Sequence, residues 1–282
     1  MYTFITDSGF DLPESIKLPF ELKVLPLRVF LKEKEYEDKH TIDAKELYQL
    51  EISGELATTS LPRPEVIENT IKESVQKSEK VFIITISSKL SNTHDLVKSI
   101  VSSLNYKNVE IFDSKTACIK QGYVLLRAMQ QVKETGVLTQ VDIDRYVNES
   151  LLVFLVPTLD YLYKGGRIGK AKALIGKMLS LKPILTTDNE GEVNTLGTSR
   201  SIDSGISTMQ NLVNKFLESN GFLDDYSVIG GYTIEDTQKY VSKLVEPYKK
   251  SVLGLTNIGS AIAAHVGPEA FGLVVGKGVH LD

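Results

Sequence analysis

Hydroxyl groups in three loops are the side chains of this sequence best suited to chemistry. The loops are Asp7-Ser8, residues 57–62 (ATTSLP) and residues 87–93 (SSKLSNT). The third loop directly follows the apolar run at 81–86 (VFIITI) and opens a helical pattern. Free backbone N–H groups at a helix start and the helix dipole both favour negative charge. The third loop therefore predicts a site for an anion.

Helix capping is a competing interpretation of the same hydroxyl groups. Serine and threonine are usual N-cap residues, so Thr59 and Ser91 could serve only as caps. Because two hydroxyl-rich loops occur at consecutive positions of a predicted sheet, both capping and ligand contact stay open.

Three further side chains could take part in chemistry. Arg167 ends the tight loop Gly165-Gly166-Arg167, a pattern that more often gives a turn with a surface arginine. His265 lies in an apolar stretch before a turn, where a hydrogen-bonded core histidine is the commoner outcome. Cys118 lies inside a helical pattern, which predicts a small core residue.

No sequence signature of an enzyme accompanies these residues. The chain has no GxxxxGK[ST] phosphate loop, no GxGxxG after its first strand and no GxSxG nucleophile elbow. The histidines, at positions 40, 94, 265 and 280, do not have the spacing of a metal site. Loop hydroxyls and a histidine would suffice to hold a carboxylate.

Composition limits the class of protein. A chain of 282 residues, 42% hydrophobic and with a net charge of −4, predicts two globular domains and argues against nucleic-acid binding. A single cysteine cannot form an internal disulfide bond, which indicates a reducing compartment. The N-terminus lacks the basic region of a secretory signal, and no apolar stretch approaches the roughly eighteen residues of a membrane span. We therefore expect a cytoplasmic protein.

Strand and helix patterns alternate in the first half. A long helical pattern runs from about Thr116 to Gly136, and the charged stretch 32–39 predicts an exposed hairpin or loop. Strands separated by single helices indicate a mainly parallel sheet. We predict an N-terminal α/β domain over residues 1–158, with helices flanking that sheet. The strand patterns lie at 2–6, 24–31, 81–86, 109–113 and 153–157.

The second half has a different pattern. The glycine-rich stretch 163–172 is the predicted junction, and residues 182–198 predict an antiparallel hairpin around Asn189-Glu190-Gly191. A helix over roughly 201–218 and further strands follow. We predict a mixed α+β C-terminal domain over residues 159–282.

A series of motifs, in order and nearly end to end, resembles the DegV family of fatty-acid-binding proteins, which includes the binding subunits of bacterial fatty-acid kinase. Several motifs at family-like spacing are more specific than any one of them. They are TDSGFDLP (6–13), VLPLRV (24–29), YEDK (36–39), TTSLP (58–62), ISSKLSNT (86–93), IFDSKTA (111–117) with Gly122, LDYLYKGGRIGK (159–170), KPIL (182–185) and HVGPEAFGL (265–273).

The resemblance implies two α/β domains that bury the acyl chain of a long-chain fatty acid in a tunnel near the domain interface. It also implies that Thr59 and Ser91 hold the carboxylate and that His265 lies near it. Arg200 is the candidate for an arginine near the head group, and Arg167 is implied to be structural or at the cleft. The resemblance implies a fatty acid as bound ligand, and it implies neither a cofactor nor a metal.

Two positions depart from the family pattern. Asn92 replaces the glycine of LSGT, and because asparagine tolerates a positive φ, the turn is expected to be kept. Gly197 stands where an arginine is expected. This departure concerns the assignment of Arg200, which lies in the same stretch, and the way in which the protein contacts a kinase.

Two functions from different classes follow. The first is a carrier, not an enzyme, that presents its fatty-acid carboxylate to a separate ATP-dependent fatty-acid kinase, without binding nucleic acid or inserting stably into a membrane. The second is a phosphotransferase or hydrolase of a small polar substrate on a related fold. The missing catalytic signatures favour the first, and a lipid-sensing regulator would use the same pocket.

Overall fold

A parallel sheet forms the N-terminal part of the computed structural model, which describes residues 1–51, 56–176 and 181–281. Its four strands are parallel throughout, as the sequence predicted. Helices flank the sheet because parallel neighbours need crossover connections. In spatial order the strands are β2 (Glu21–Leu25), β1 (Tyr2–Asp7), β6 (Lys80–Thr85) and β7 (Val109–Asp113), and the helices are α2 (Pro64–Lys77), α3 (Thr93–Leu104), α4 (Cys118–Thr135) and α5 (Gln140–Asn148).

A mixed six-stranded sheet forms the C-terminal part. Among the described strand pairs of this sheet, only β11 and β12 are parallel, and α8 connects them; the other pairs of this sheet are antiparallel. This confirms the predicted mixed class and the hairpin at 182–198. The strands, in spatial order, are β10 (Val193–Ser199), β9 (Lys182–Thr187), β8 (Ser150–Leu155), β13 (Phe271–Lys277), β11 (Tyr226–Tyr232) and β12 (Val252–Asn257), and the helices are α6 (Asp160–Lys164), α7 (Ile202–Asn220), α8 (Glu235–Val245) and α9 (Ser260–Val266), with 3₁₀ turns at Gly169–Leu174 and Glu246–Tyr248.

A small antiparallel sheet was not predicted. It contains β4 (Lys34–Glu37), β3 (Arg28–Leu31) and β5 (Thr58–Ser60), in that order, beside α1 (Ala44–Glu51). The run 24–31, predicted as one strand, is divided between β2 and β3 around Pro26, which has no N–H group to donate to a sheet. The predicted hairpin at 32–39 is confirmed, with Lys32 and Glu33 at positive φ in its turn.

Strand β8 lies in a different sheet from the one predicted. The run 153–157 was assigned to the N-terminal parallel sheet, but β8 pairs antiparallel with β13 and β9. An apolar run predicts a buried strand and contains no information about its partner. The change of sheet therefore precedes Ser150, whereas the sequence placed the junction after residue 158; the division into domains 1–158 and 159–282 stays a prediction.

Helix α4 joins the two large sheets through a shared core. It ends at Gly136 with φ of 69°, close to the predicted bounds. Nearly every side chain in its first three turns is buried, and the same apolar cluster includes Phe82 of the first sheet and Val274 of the second. Strands β8, β11 and β13 therefore pack against the same helix as the N-terminal sheet.

Candidate ligand-binding site

An apolar cavity lies between the N-terminal loops and the second sheet. It encloses about 990 Å³ of space free of atoms, including open space at its mouth. Ile86 and Ile119 line it from the N-terminal part, while Phe154, Ile262 and Phe271 line it from the C-terminal part. The wall is therefore suited to a hydrocarbon.

Polar side chains also line this cavity, and four of the five predicted site residues are among them. Thr59, Ser91, Arg167 and His265 all contribute to the wall. They come from β5, the loop before α3, the loop after α6 and the last turn of α9. Segments far apart in the chain thus bring hydroxyl, guanidinium and imidazole groups to one cavity.

Thr59 and His265 are in direct contact. The distance between Thr59 Oγ1 and His265 Nε2 is 2.7 Å. His265 Nδ1 is buried and has no hydrogen-bond partner among the described residues. Burial lowers the pKa of His265 to about 4, with a further contribution from the positive charge of Arg167. The imidazole is therefore neutral at pH 7.

Ser91 combines a local hydrogen bond with a place in the cavity wall. Its Oγ lies 2.8 Å from Thr93 Oγ1 and accepts a hydrogen bond from the Thr93 backbone N–H at 3.3 Å. The N-cap of α3 is Asn92, which makes no side-chain capping bond, so Ser91 is not the N-cap that the sequence left open. Asn92 has a φ of −77°, so this turn needs no residue with positive φ and the substitution of glycine brings no strain.

Arg167 connects two loops at the cavity. Its Nε donates to the Leu90 carbonyl oxygen at 3.1 Å and its Nη1 donates to the Gly165 carbonyl oxygen at 2.6 Å. Because Leu90 precedes Ser91, the guanidinium fixes the serine loop against the glycine loop. Its placement fits both implied roles, structural and at the cleft.

Arg200 does not join the other four residues. It is exposed, follows β10 directly and is not among the described residues that line the cavity. A position after a hairpin does not fix the direction of the next side chain, which explains the difference from the sequence-based expectation. Gly197 faces open space.

Asp7 and Ser8 have positioning contacts and do not line the cavity. Asp7 Oδ2 accepts from the Ile86 backbone N–H at 2.6 Å, and Oδ1 accepts from Gly9 and Gln121. Ser8 Oγ accepts from the Leu27 backbone N–H. Burial raises the pKa of Asp7 to about 6, although these donors act against the shift. Of the three hydroxyl-bearing loops, only residues 57–62 and 87–93 therefore contribute described residues to the cavity wall.

Two charged side chains that sequence reasoning missed, the buried Asp38 and the half-buried Arg28, hold α9 and β5 in place. Asp38 Oδ1 accepts from Ser260 Oγ and the Ala261 N–H at the start of α9, the helix that carries His265. Arg28 donates to Ser60 Oγ and the Leu61 carbonyl oxygen, next to Thr59. Asp38 lies in YEDK (36–39) and Arg28 in VLPLRV (24–29), two of the family-like motifs. These motifs were the sequence signal that could have identified the two residues.

The described ranges contain neither a candidate metal site nor a candidate membrane-spanning helix. No group of three or more His, Cys, Asp or Glu residues there could hold a metal ion. None of the helices in those ranges has the length and apolar character needed to cross a bilayer.

Comparison with known proteins identifies the family. The family model described as uncharacterised protein, DegV family, matches residues 2–277. The chain therefore belongs to the DegV family. Protein DegV of Bacillus subtilis is 28% identical over 274 residues, which cover 95% of this chain and 96% of that protein. A DegV domain-containing protein of Clostridium acetobutylicum is 30% identical over 294 residues, covering 97% and 98%.

Solved structures share the fold over nearly the whole chain. A DegV family protein from Thermus thermophilus, described as binding fatty acid, has a TM-score of 0.87 at 28% identity and covers 98% of this chain and 99% of its own. A stearic acid-binding protein from Eubacterium ventriosum has a TM-score of 0.84 at 24% identity and covers 98% of both chains. The second similarity concerns the fold alone.

Proposed function

We propose that this protein holds a long-chain fatty acid in the cavity, with the acyl chain against the apolar wall and the carboxylate beside Thr59, Ser91 and His265. Arg167 holds the loops around that head group. The observation that carries the proposal is an apolar cavity whose wall includes these polar side chains. The fatty-acid-binding relative from Thermus thermophilus supports it.

Burial of the acyl chain supplies most of the binding free energy. About a dozen methylenes at ~0.8 kcal/mol each give roughly 10 kcal/mol, from which the costs of association are subtracted. Such a ligand needs few polar contacts for affinity. The cavity wall of Ile86, Ile119, Phe154 and Phe271 provides the surface for it.

The carboxylate needs hydrogen-bond donors because burying a bare charge is costly. Two hydroxyl groups can donate to it, and the neutral state of His265 leaves the head group without a full counter-charge from that side. A partly neutralised carboxylate keeps the nucleophilic character needed to attack a phosphoryl group. We therefore propose that the protein is a cytoplasmic carrier that catalyses nothing by itself and presents the carboxylate to a separate ATP-dependent fatty-acid kinase.

Competition with a fluorescent fatty acid tests the ligand class. Palmitic acid should displace the probe, its methyl ester should do so far more weakly, and acetic acid should not compete. Equal competition by acid and ester would remove the carboxylate site from the proposal. The carrier role predicts acyl phosphate only when ATP and a kinase subunit are both present; acyl phosphate from ATP and this protein alone would make it an enzyme.

A further inference from the structure

The His265 ring lies against a glycine with no room for any other residue. A Cβ built on Gly165 would be 2.2 Å from His265 Nδ1 and 2.9 Å from Cε1. Gly165 has a φ of −73°, a conformation open to every amino acid, so its backbone does not require glycine. The requirement comes mainly from the imidazole, since the next contact, with the Tyr161 carbonyl oxygen, would be 3.0 Å.

The same contact decides which ring nitrogen carries the proton. Nδ1 points at Gly165, is buried and has no hydrogen-bond partner among the described residues, while Nε2 is 2.7 Å from Thr59 Oγ1. A proton on Nδ1 would be a buried donor without an acceptor. A bare lone pair on Nδ1 is the less costly state, since orphaned N–H groups are rarer in proteins than under-used acceptors.

We propose that Gly165 is a positioning residue that holds His265 in its Nε2–H tautomer and thereby makes Thr59 a hydrogen-bond donor to the ligand. In this tautomer Nε2–H donates to Thr59 Oγ1, and the threonine O–H remains free. In the other tautomer the threonine proton is used on Nε2. The step from Thr59 to a carboxylate rests on the proposed function; the tautomer does not.

Nitrogen NMR of the ligand-free protein tests the tautomer directly. With ¹⁵N-labelled histidine, the four side chains give few signals, and His265→Asn identifies the one of interest. At pH 7 we expect a protonated Nε2 and an unprotonated Nδ1 at His265. A protonated Nδ1 would overturn the proposal, whether or not the protein binds fatty acid.

Gly165→Ala tests the positioning, with Gly166→Ala as the matched control. Gly166 has a φ of 73° and faces open space, so its alanine variant strains the same loop without touching the ring. Gly165→Ala should change the His265 nitrogen signals. It should also weaken palmitate binding roughly tenfold or more, because the carboxylate loses the hydrogen bond that Thr59 donates to it. Gly166→Ala should leave those signals unchanged. Unchanged signals in Gly165→Ala would contradict the proposal.

The double variant Gly165→Ala with His265→Ala separates positioning from general damage to the fold. Without the imidazole the added methyl meets only the Tyr161 carbonyl oxygen at 3.0 Å, so in that background Gly165→Ala should cost no further affinity and much less stability than in the wild type. An equal loss in both backgrounds would overturn the proposal. If the wild-type protein shows the expected tautomer and no affinity for palmitate, the proposed function fails while the positioning role of Gly165 stands.

Discussion

The hydroxyl of Thr59 and the imidazole of His265 lie 2.7 Å apart although 206 positions separate them in the chain. The contact joins β5 of the small sheet to α9, and both residues line the apolar cavity. The N-terminal loops and the C-terminal part of the chain must therefore fold against each other before this site exists.

Removal of the two hydroxyl groups tests the head-group assignment. Thr59→Ala with Ser91→Ala should weaken fatty-acid binding about tenfold to a hundredfold, because each hydrogen bond to a charged group contributes about 1.5 kcal/mol or more. Fluorescent fatty-acid displacement measures the affinity and urea unfolding checks the fold.

Ser102→Ala with Thr208→Ala is a matched control for that pair. Ser102 is exposed and Thr208 is half-buried, neither lines the cavity, and each hydroxyl bonds to a backbone carbonyl of its own helix. The control should bind like the wild type. A site pair that binds as well as the control would remove Thr59 and Ser91 from the proposed site.

The two arginines named by the sequence-based hypothesis, Arg167 and Arg200, should differ in effect. Arg167→Lys keeps the charge but cannot keep both carbonyl contacts. Fatty-acid affinity should fall about fivefold, because one hydrogen bond that positions the loops is lost. Arg200→Lys, at an exposed position away from the cavity wall, should bind like the wild type. The same displacement assay checks both, and a larger loss from the Arg200 variant would reverse the assignment.

Acid should destabilise the ligand-free protein through His265. Its pKa is about 4 in the folded protein against an ordinary 6.5, so the unfolded chain takes up the proton first as the pH falls. This linkage should cost about 2 kcal/mol of unfolding free energy between pH 7 and pH 5. Urea unfolding should show that part of the pH dependence in the wild type and not in His265→Asn; the same dependence in both proteins would contradict it.

Asp7 should act in the opposite direction. Its pKa is raised from 3.8 to about 6, so its contribution to stability is greatest in acid and is lost as the pH rises through 6. Between pH 4 and pH 7 the unfolding free energy of the wild type should fall relative to Asp7→Asn by about 2 kcal/mol. A difference between the two proteins that does not change with pH would show that Asp7 is not buried as described.

Local patterns allowed much of the fold to be predicted from the sequence. Helix α4 ends at Gly136, and α7 begins after Ser201 with reciprocal capping hydrogen bonds, both close to the predicted bounds. The hairpin turn at Lys32-Glu33 was likewise predictable, because charge and turn chemistry are local. Thr59, Ser91, Arg167 and His265 were found as candidates through motifs.

Long-range pairing and side-chain direction could not be predicted in this way. The sheet that takes up β8 depends on its partners β9 and β13, which no local pattern specifies. Arg200 was placed by its position after a hairpin, and only the folded chain shows that it is exposed. Only the folded chain shows that Asp7 accepts a hydrogen bond from the Ile86 backbone N–H and does not line the cavity.

Native mass spectrometry of the purified protein, followed by extraction and lipid analysis, tests the central claim most directly. The account predicts one long-chain fatty acid for each chain, lost from the Thr59→Ala, Ser91→Ala double variant and retained in the Ser102→Ala, Thr208→Ala control. A wild-type protein that carries no lipid and does not take up palmitic acid when it is supplied would contradict the account.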